Sequence, residues 1–169
     1  TLADNGGTCS LSSSTAGTLT IAGITNPAAG TYAGSGFTVK TSRDTATATL
    51  GSSIDIYGTA SQVVFTTQPG GGTAGTAWST QPVLTVEDSG GRTVANYGSN
   101  VTVAIKAGTG AGGATLSGTT TVAASSGLAT FSGLSIDKAS TTYQLHATSG
   151  ALTAADSSAF TISAAAAQT

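Results

Sequence analysis

Val101-Thr102-Val103-Ala104-Ile105-Lys106 places an apolar residue at every second position, and Thr18-Leu19-Thr20-Ile21 does the same near the start of the chain. Period-two alternation bounded by Gly, Asn and Ser predicts β-strands with one buried and one wet face. Such stretches recur from end to end, with turn residues between them about every ten positions. The expected fold class is all-β.

Composition limits what such a fold can do. The 169 residues include seven carboxylates, five Lys or Arg, one His, one Cys and 24 Gly. About a third are Ser or Thr. Gly/Ser/Thr-rich chains are often disordered, but here Val, Ile and Leu keep their alternation, which predicts packed sheets. The net charge of −2 with no basic cluster excludes the electrostatic footprint of nucleic-acid binding. The longest apolar run is far shorter than a membrane span. With so few titratable groups, catalysis and bound cofactors are not expected. The chain does not begin with Met, so Thr1 reads as a processed or internal start. Sparse charge and Thr-rich strands point to an extracellular or cell-surface protein.

Two units are predicted, with a boundary near Thr59-Ala60-Ser61-Gln62. Residues 61–164 suffice for a complete seven-stranded sandwich. Its expected strands are Val63–Thr66, Val83–Glu87, Thr93–Ala95, Val101–Lys106, Thr115–Leu116, Thr119–Ala123, Leu128–Phe131, Tyr143–Thr148 and Ala159–Ser163. Pro69–Gly72 and Asp88-Ser89-Gly90-Gly91 read as turns. Residues 1–60 offer only Thr18–Ile21, Phe37–Thr41, Thr45–Leu50 and Ile54–Tyr57, a partial sandwich marginal in buried area. Leu19, Ile21, Phe37, Val39, Ile54 and Ile56 would share an uncovered apolar face. Missing strands, the second unit or a neighbouring subunit would have to cover it. Residues 165–169 read as a tail, or as a linker into a further repeat, since both Thr59–Val63 and Ala164–Thr169 are small-residue stretches leading to a Gln.

The second unit also carries a family resemblance. Val64-Phe65-Thr66-Thr67-Gln68-Pro69-Gly70-Gly71, Ala74-Gly75-Thr76-Ala77-Trp78-Ser79-Thr80-Gln81-Pro82-Val83 and Thr85-Val86-Glu87-Asp88 follow one another in order. Gly112–Gly118, Gly127–Ala139 and Tyr143–Ser149 continue the series. Together they resemble bacterial immunoglobulin-like (Big-type) tandem repeats of secreted and cell-surface proteins. Thr142 departs from the pattern, which often has Gly before the Tyr. The first unit, through Ile24-Thr25-Asn26-Pro27, Gly30-Thr31-Tyr32 and Phe37–Ser42, resembles the C-terminal half of a secreted β-sandwich module. The resemblance implies two tandem immunoglobulin-like sandwiches, the first incomplete, used in stalks, sheaths or surface assemblies.

Individual residues add candidates. Trp78 is either a sugar-stacking platform or a plug for the end of the sandwich. Cys9, the lone thiol, is either a small buried residue or an intermolecular disulfide partner. Asn100-Val101-Thr102 is an N-glycosylation sequon. His146 is expected on the wet face with Gln144 and Thr148, opposite Tyr143, Leu145 and Ala147. Tyr143 matches the fold-stabilising tyrosine corner. Asp88 is expected to bond backbone N–H groups of its turn; Asp88 and Asp137 are the weighed calcium ligands, and the lack of a His/Cys cluster leaves no metal expected. Thr-x-Thr runs such as Thr45–Thr49 read as wet strand faces rather than an ice-binding ladder. The leading functional expectation is a structural subunit that self-associates into a filament, sheath or surface layer. The alternatives are an adhesin stalk or carbohydrate-binding module, and the spacer of a secreted enzyme.

Overall fold

The computed structural model describes residues 28–33, 38–39, 48–49 and 54–166. Its strands begin with β1 (Gly30–Tyr32), β2 (Thr38–Val39), β3 (Ala48–Thr49), β4 (Ile54–Ile56) and β5 (Ala60–Thr67). They continue with β6 (Gly72–Thr73), β7 (Val83–Asp88), β8 (Asn100–Ile105), β9 (Leu116–Ser117), β10 (Thr121–Ala123) and β11 (Leu128–Thr130). The last are β12 (Ser135–Ile136), β13 (Ser140–Tyr143), β14 (Leu145–Thr148), β15 (Ala155–Asp156) and β16 (Phe160–Ser163). No helix occurs among the described residues, so none is long and apolar enough to cross a membrane. The chain is all-β.

Alternation works as expected in β8, where Val101 and Val103 are buried and Asn100, Thr102 and Ala104 are exposed. Most strands from β5 onward form two facing layers, and β9 and β12 make a separate antiparallel pair. One layer is the sheet β11–β7–β5, antiparallel throughout. The other is β10–β8–β14–β15, extended by β13–β16–β6. β13 and β14 are separated only by Gln144, and β15 and β16 by Ser157–Ala159, so each pair acts as one interrupted strand. β5, β7 and β11 therefore face β8, β14 and β16 across the core. Between the layers lie Phe65, Leu84, Val86 and Ala129 from one sheet and Val101, Leu145, Ala147 and Ile162 from the other. Phe131, Leu134 and Ile136 close the core from the connection that follows β11.

The last strand runs parallel to the first. β16 pairs with β6 in parallel register, Ile162↔Gly72 and Ser163↔Thr73, and Gln62 bridges Thr153 in the same sense. The backbone thus enters this sandwich at one pole, beside Asp88, and leaves it at the opposite pole, beside Thr73.

The N-terminal segments form two small pairs, β1 with β4 and β2 with β3, both antiparallel. β2, β3 and β4 fall inside three of the strands expected from sequence, whereas β1 was not expected. Thr18–Ile21 lies outside the described residues. Of the apolar face proposed for this unit only the Ile56 side chain is described, and it is half-buried. The expected strand Thr93–Ala95 is a correction: only Thr93 bridges back to Glu87. Asp88 N–H donates to Arg92 O and Val94 N–H to Val86 O on either side of that bridge, and Val94 O then accepts from Tyr97 N–H, so the chain turns away before a second bridge can form.

Tyr143 forms the corner that its position suggested. Its hydroxyl donates to Lys138 O at 2.9 Å while the ring is wholly buried. Gly110 has φ +71°, and a β-carbon there would overlap the Tyr143 ring. Tyr143→Phe should therefore lower unfolding free energy by about 1 kcal/mol, because it removes one part-buried hydrogen bond. Gly110→Ala should cost more, since it adds both overlap and a left-handed backbone at a residue with a side chain. Urea unfolding followed by circular dichroism checks both, and an unchanged midpoint in either variant contradicts this account.

Candidate functional site

Asp88 ends β7, where the chain reverses through Ser89-Gly90-Gly91, and its side chain is only 2% exposed. Such burial of a carboxylate is tolerable only if its oxygens are fully bonded. Oδ1 accepts the N–H groups of Gly90 and Arg92, each at 2.9 Å. Oδ2 accepts the N–H of Gly58 at 2.7 Å. Two of these bonds build the turn, as the sequence suggested. The third reaches 30 residues back to the segment leading into β5. The Gly58 N–H, followed by the Arg92 N–H, holds the Asp88 carboxyl below its ordinary value. Burial opposes this, while the Gly90 N–H and the Arg92 charge reinforce it. Thr31, Tyr57, Arg92 and Thr93 line a shallow cleft at the same pole. Asp88 thus fastens the approach segment to the sandwich.

Asp137, the other carboxylate weighed for calcium, accepts the Thr115 N–H at 2.7 Å. Among the described residues no three His, Cys, Asp or Glu side chains gather where a metal ion could sit.

A second cluster occupies the solvent face of the four-stranded sheet. Tyr143, Leu145 and Ala147 point inward and His146 outward, as alternation requires. Register places His146 between Ala104 of β8 and Asp156 of β15. His146 Nδ1 lies 2.7 Å from Asp156 Oδ1, and Lys106 Nζ lies 2.8 Å from Asp156 Oδ2. The bond to Lys106, then that to His146, keeps the Asp156 carboxyl below its usual range, aided by both charges and opposed by burial. The His146 and Asp156 side chains are 42% and 38% exposed, so the cluster is well hydrated and its energetic worth small. An Asp–His pair orients an imidazole, but nucleophilic chemistry further needs a hydroxyl or thiol bonded to the ring. The bonds described for His146 contain only Asp156. Asp156 escaped the sequence reading because β15 is two residues long and shows no period.

Trp78 is 3% exposed. Its ring meets Phe160 edge-on at 5.0 Å between centroids and 65° between planes. Trp78, the residue weighed as a glycan contact or a plug, thus sits inside the end of the core with its ring enclosed. Gln81, which sequence reading passed over, locks this end of the sandwich. Its Nε2 donates to Trp78 O and Leu134 O, and its Oε1 accepts Leu134 N–H. The indole Nε1 is buried without a partner.

Asn100 is exposed at the start of β8, while its carbonyl accepts the Ser149 hydroxyl at 2.6 Å. The sequon's Thr102 hydroxyl is hydrogen-bonded to that of Thr121 at 3.0 Å. Cys9 lies outside the described residues. The structure does not bring Trp78, Asn100 and His146 into one site; they occupy separate parts of the sandwich. The chain matches no protein-family model and no curated protein.

Two predictions follow from these contacts. A carboxylate whose pKa is depressed by folding contributes stability above its unfolded value near 3.9, and that contribution disappears as pH falls through the lower folded value. Asp88→Asn replaces one acceptor oxygen with an amide that faces backbone donors. It should therefore lower the melting temperature at neutral pH and flatten the loss of stability below about pH 4, as measured by calorimetry across pH. For Trp78, an unpaired N–H means that Trp78→Phe sacrifices packing alone and no hydrogen bond. Its cost should fall well below the ~3–5 kcal/mol expected for Trp78→Ala, with circular dichroism as the probe because Trp78 is the only tryptophan.

Proposed function

We propose that this chain is a non-catalytic, extracellular structural protein. In this reading it is a subunit of a filament, sheath or surface layer, built from immunoglobulin-like modules that are completed between subunits. One observation carries most weight: the opening segment Gln62–Thr73 and the closing segment Thr153–Ser163 run parallel, so the backbone enters at one pole and leaves at the other. A module connected in this way extends a chain along its axis, as a serial array requires. The Asp88–Gly58 bond supports the same reading, since it fastens the preceding segment to the receiving pole. The N-terminal unit, whose described strands form only two small antiparallel pairs, supplies the reason for completion by a neighbour. Scarce charge favours close lateral packing, and abundant hydroxyls suit a wet, extracellular surface.

Negative-stain electron microscopy of native, unconcentrated material tests the proposal. Fibres or sheets with a regular axial repeat are the expected result. Isolated particles or flexible beaded strings would reject assembly and leave a stalk in a larger surface protein as the function of the same serial connectivity.

A further inference from the structure

We infer that the sandwich of residues 60–163 bears tension, resisting force applied along the line through its two termini. The inference rests on the serial reading above for the direction of force, and on the hydrogen-bond geometry for the resistance. Three separate sets of bonds join the opening segment of the sandwich, residues 61–74, to its closing segment, residues 153–163, although the partners stand about 90 residues apart in sequence. Near the N-terminal pole, Val63 N–H donates to Thr153 O at 3.1 Å and Thr153 N–H donates to Ser61 O at 2.8 Å. Midway, Ser158 N–H donates to Gln68 Oε1 at 2.9 Å. Near the C-terminal pole, β6 and β16 pair in parallel and Ala74 N–H donates to Ser163 O at 2.9 Å.

The direction of these strands decides how the bonds respond to pulling. Tension draws β5 and β6 out through one pole and β16 out through the other. The strands must slide past one another along their length, while the bonds between them lie across the direction of pull. All the rungs are then strained together, and several must fail at once. Had the first and last strands been antiparallel, both ends would leave at one pole and the rungs would open one after another. Sliding also shears β5 against β7 and β16 against β13, both of which are antiparallel neighbours. The fit of β6 against β16 depends on Gly71, with φ +70°, because a β-carbon there would collide with Thr161 O. Resistance of this kind is set by the unfolding rate under force rather than by equilibrium stability.

Single-molecule force spectroscopy on the full chain, held at its two ends, tests the inference. Unfolding of the sandwich is recognised by its length, since about 100 residues release roughly 350 Å when extended. The comparison arm holds the same chain at Thr59→Cys and Ser89→Cys, both at the N-terminal pole, in a Cys9→Ser background, so that β5 peels from β7 rung by rung. The end-to-end rupture force should exceed the peeling force severalfold; equal or lower force overturns the inference. Gln68→Ala and Ala74→Pro each remove one tie between the first and last strands, and Gln68 is an exposed residue outside the core. Either should lower the end-to-end force while leaving the peeling force unchanged, and no change in end-to-end force for both overturns the inference. Fibres by microscopy with a low rupture force would leave the assembly standing and remove its mechanical role. Isolated particles with a high rupture force would do the reverse.

Discussion

The parallel closure of the last strand onto the first is the constraint on which the rest of this sandwich depends. It joins residues near 62, 68 and 73 to residues near 153, 158 and 163, and so fixes the two layers relative to each other. It also sets the two poles apart, one receiving the backbone and the other releasing it. Loop closures of this length cost chain entropy that local strand formation does not offset. The buried apolar seam of Phe65, Leu84, Val101, Leu145 and Ile162 supplies the compensating free energy.

Polar groups in the described part of the chain serve the fold. Four carboxylate side chains are described there, and each accepts a bond from elsewhere in the chain. Glu87 takes one from Gln62, Asp88 from three backbone amides, Asp137 from Thr115, and Asp156 from Lys106 and His146. Gln81 and Gln144 similarly span strands or loops, the latter donating to Ser157 O. In a chain with few charges, the buried ones must be matched by donors, since an unmatched carboxylate in the interior would cost more than a small domain can spare. The unpartnered indole N–H of Trp78 is the exception among the described buried side chains. It is a weaker donor to desolvate than a charge, and the large ring that carries it fills the end of the core against Phe160.

Much of the architecture was legible in the sequence because its longer strands alternate. The inward set of β8 and the outward placement of His146 follow from period two alone. Tyr143 and Asp88 were legible for a different reason: each acts mainly on backbone nearby in sequence, five residues back for the tyrosine hydroxyl and two to four residues ahead for the carboxylate. By contrast, β6, β12 and β15 are two residues long and too short to display a period. The Lys106–Asp156–His146 cluster was hidden with them, because it exists only through the register of β15 on β14.

Residue order by itself determined the all-β class, the positions of the long strands and the local turn and corner bonds, since each depends on neighbours within a few positions. Tertiary structure decided which strands meet and in which sense, that Trp78 lies inside rather than on the surface, and that Asp88 reaches back to Gly58. Those outcomes depend on contacts across 30 to 90 residues, and alternation records only which face of a strand is buried, never what covers it.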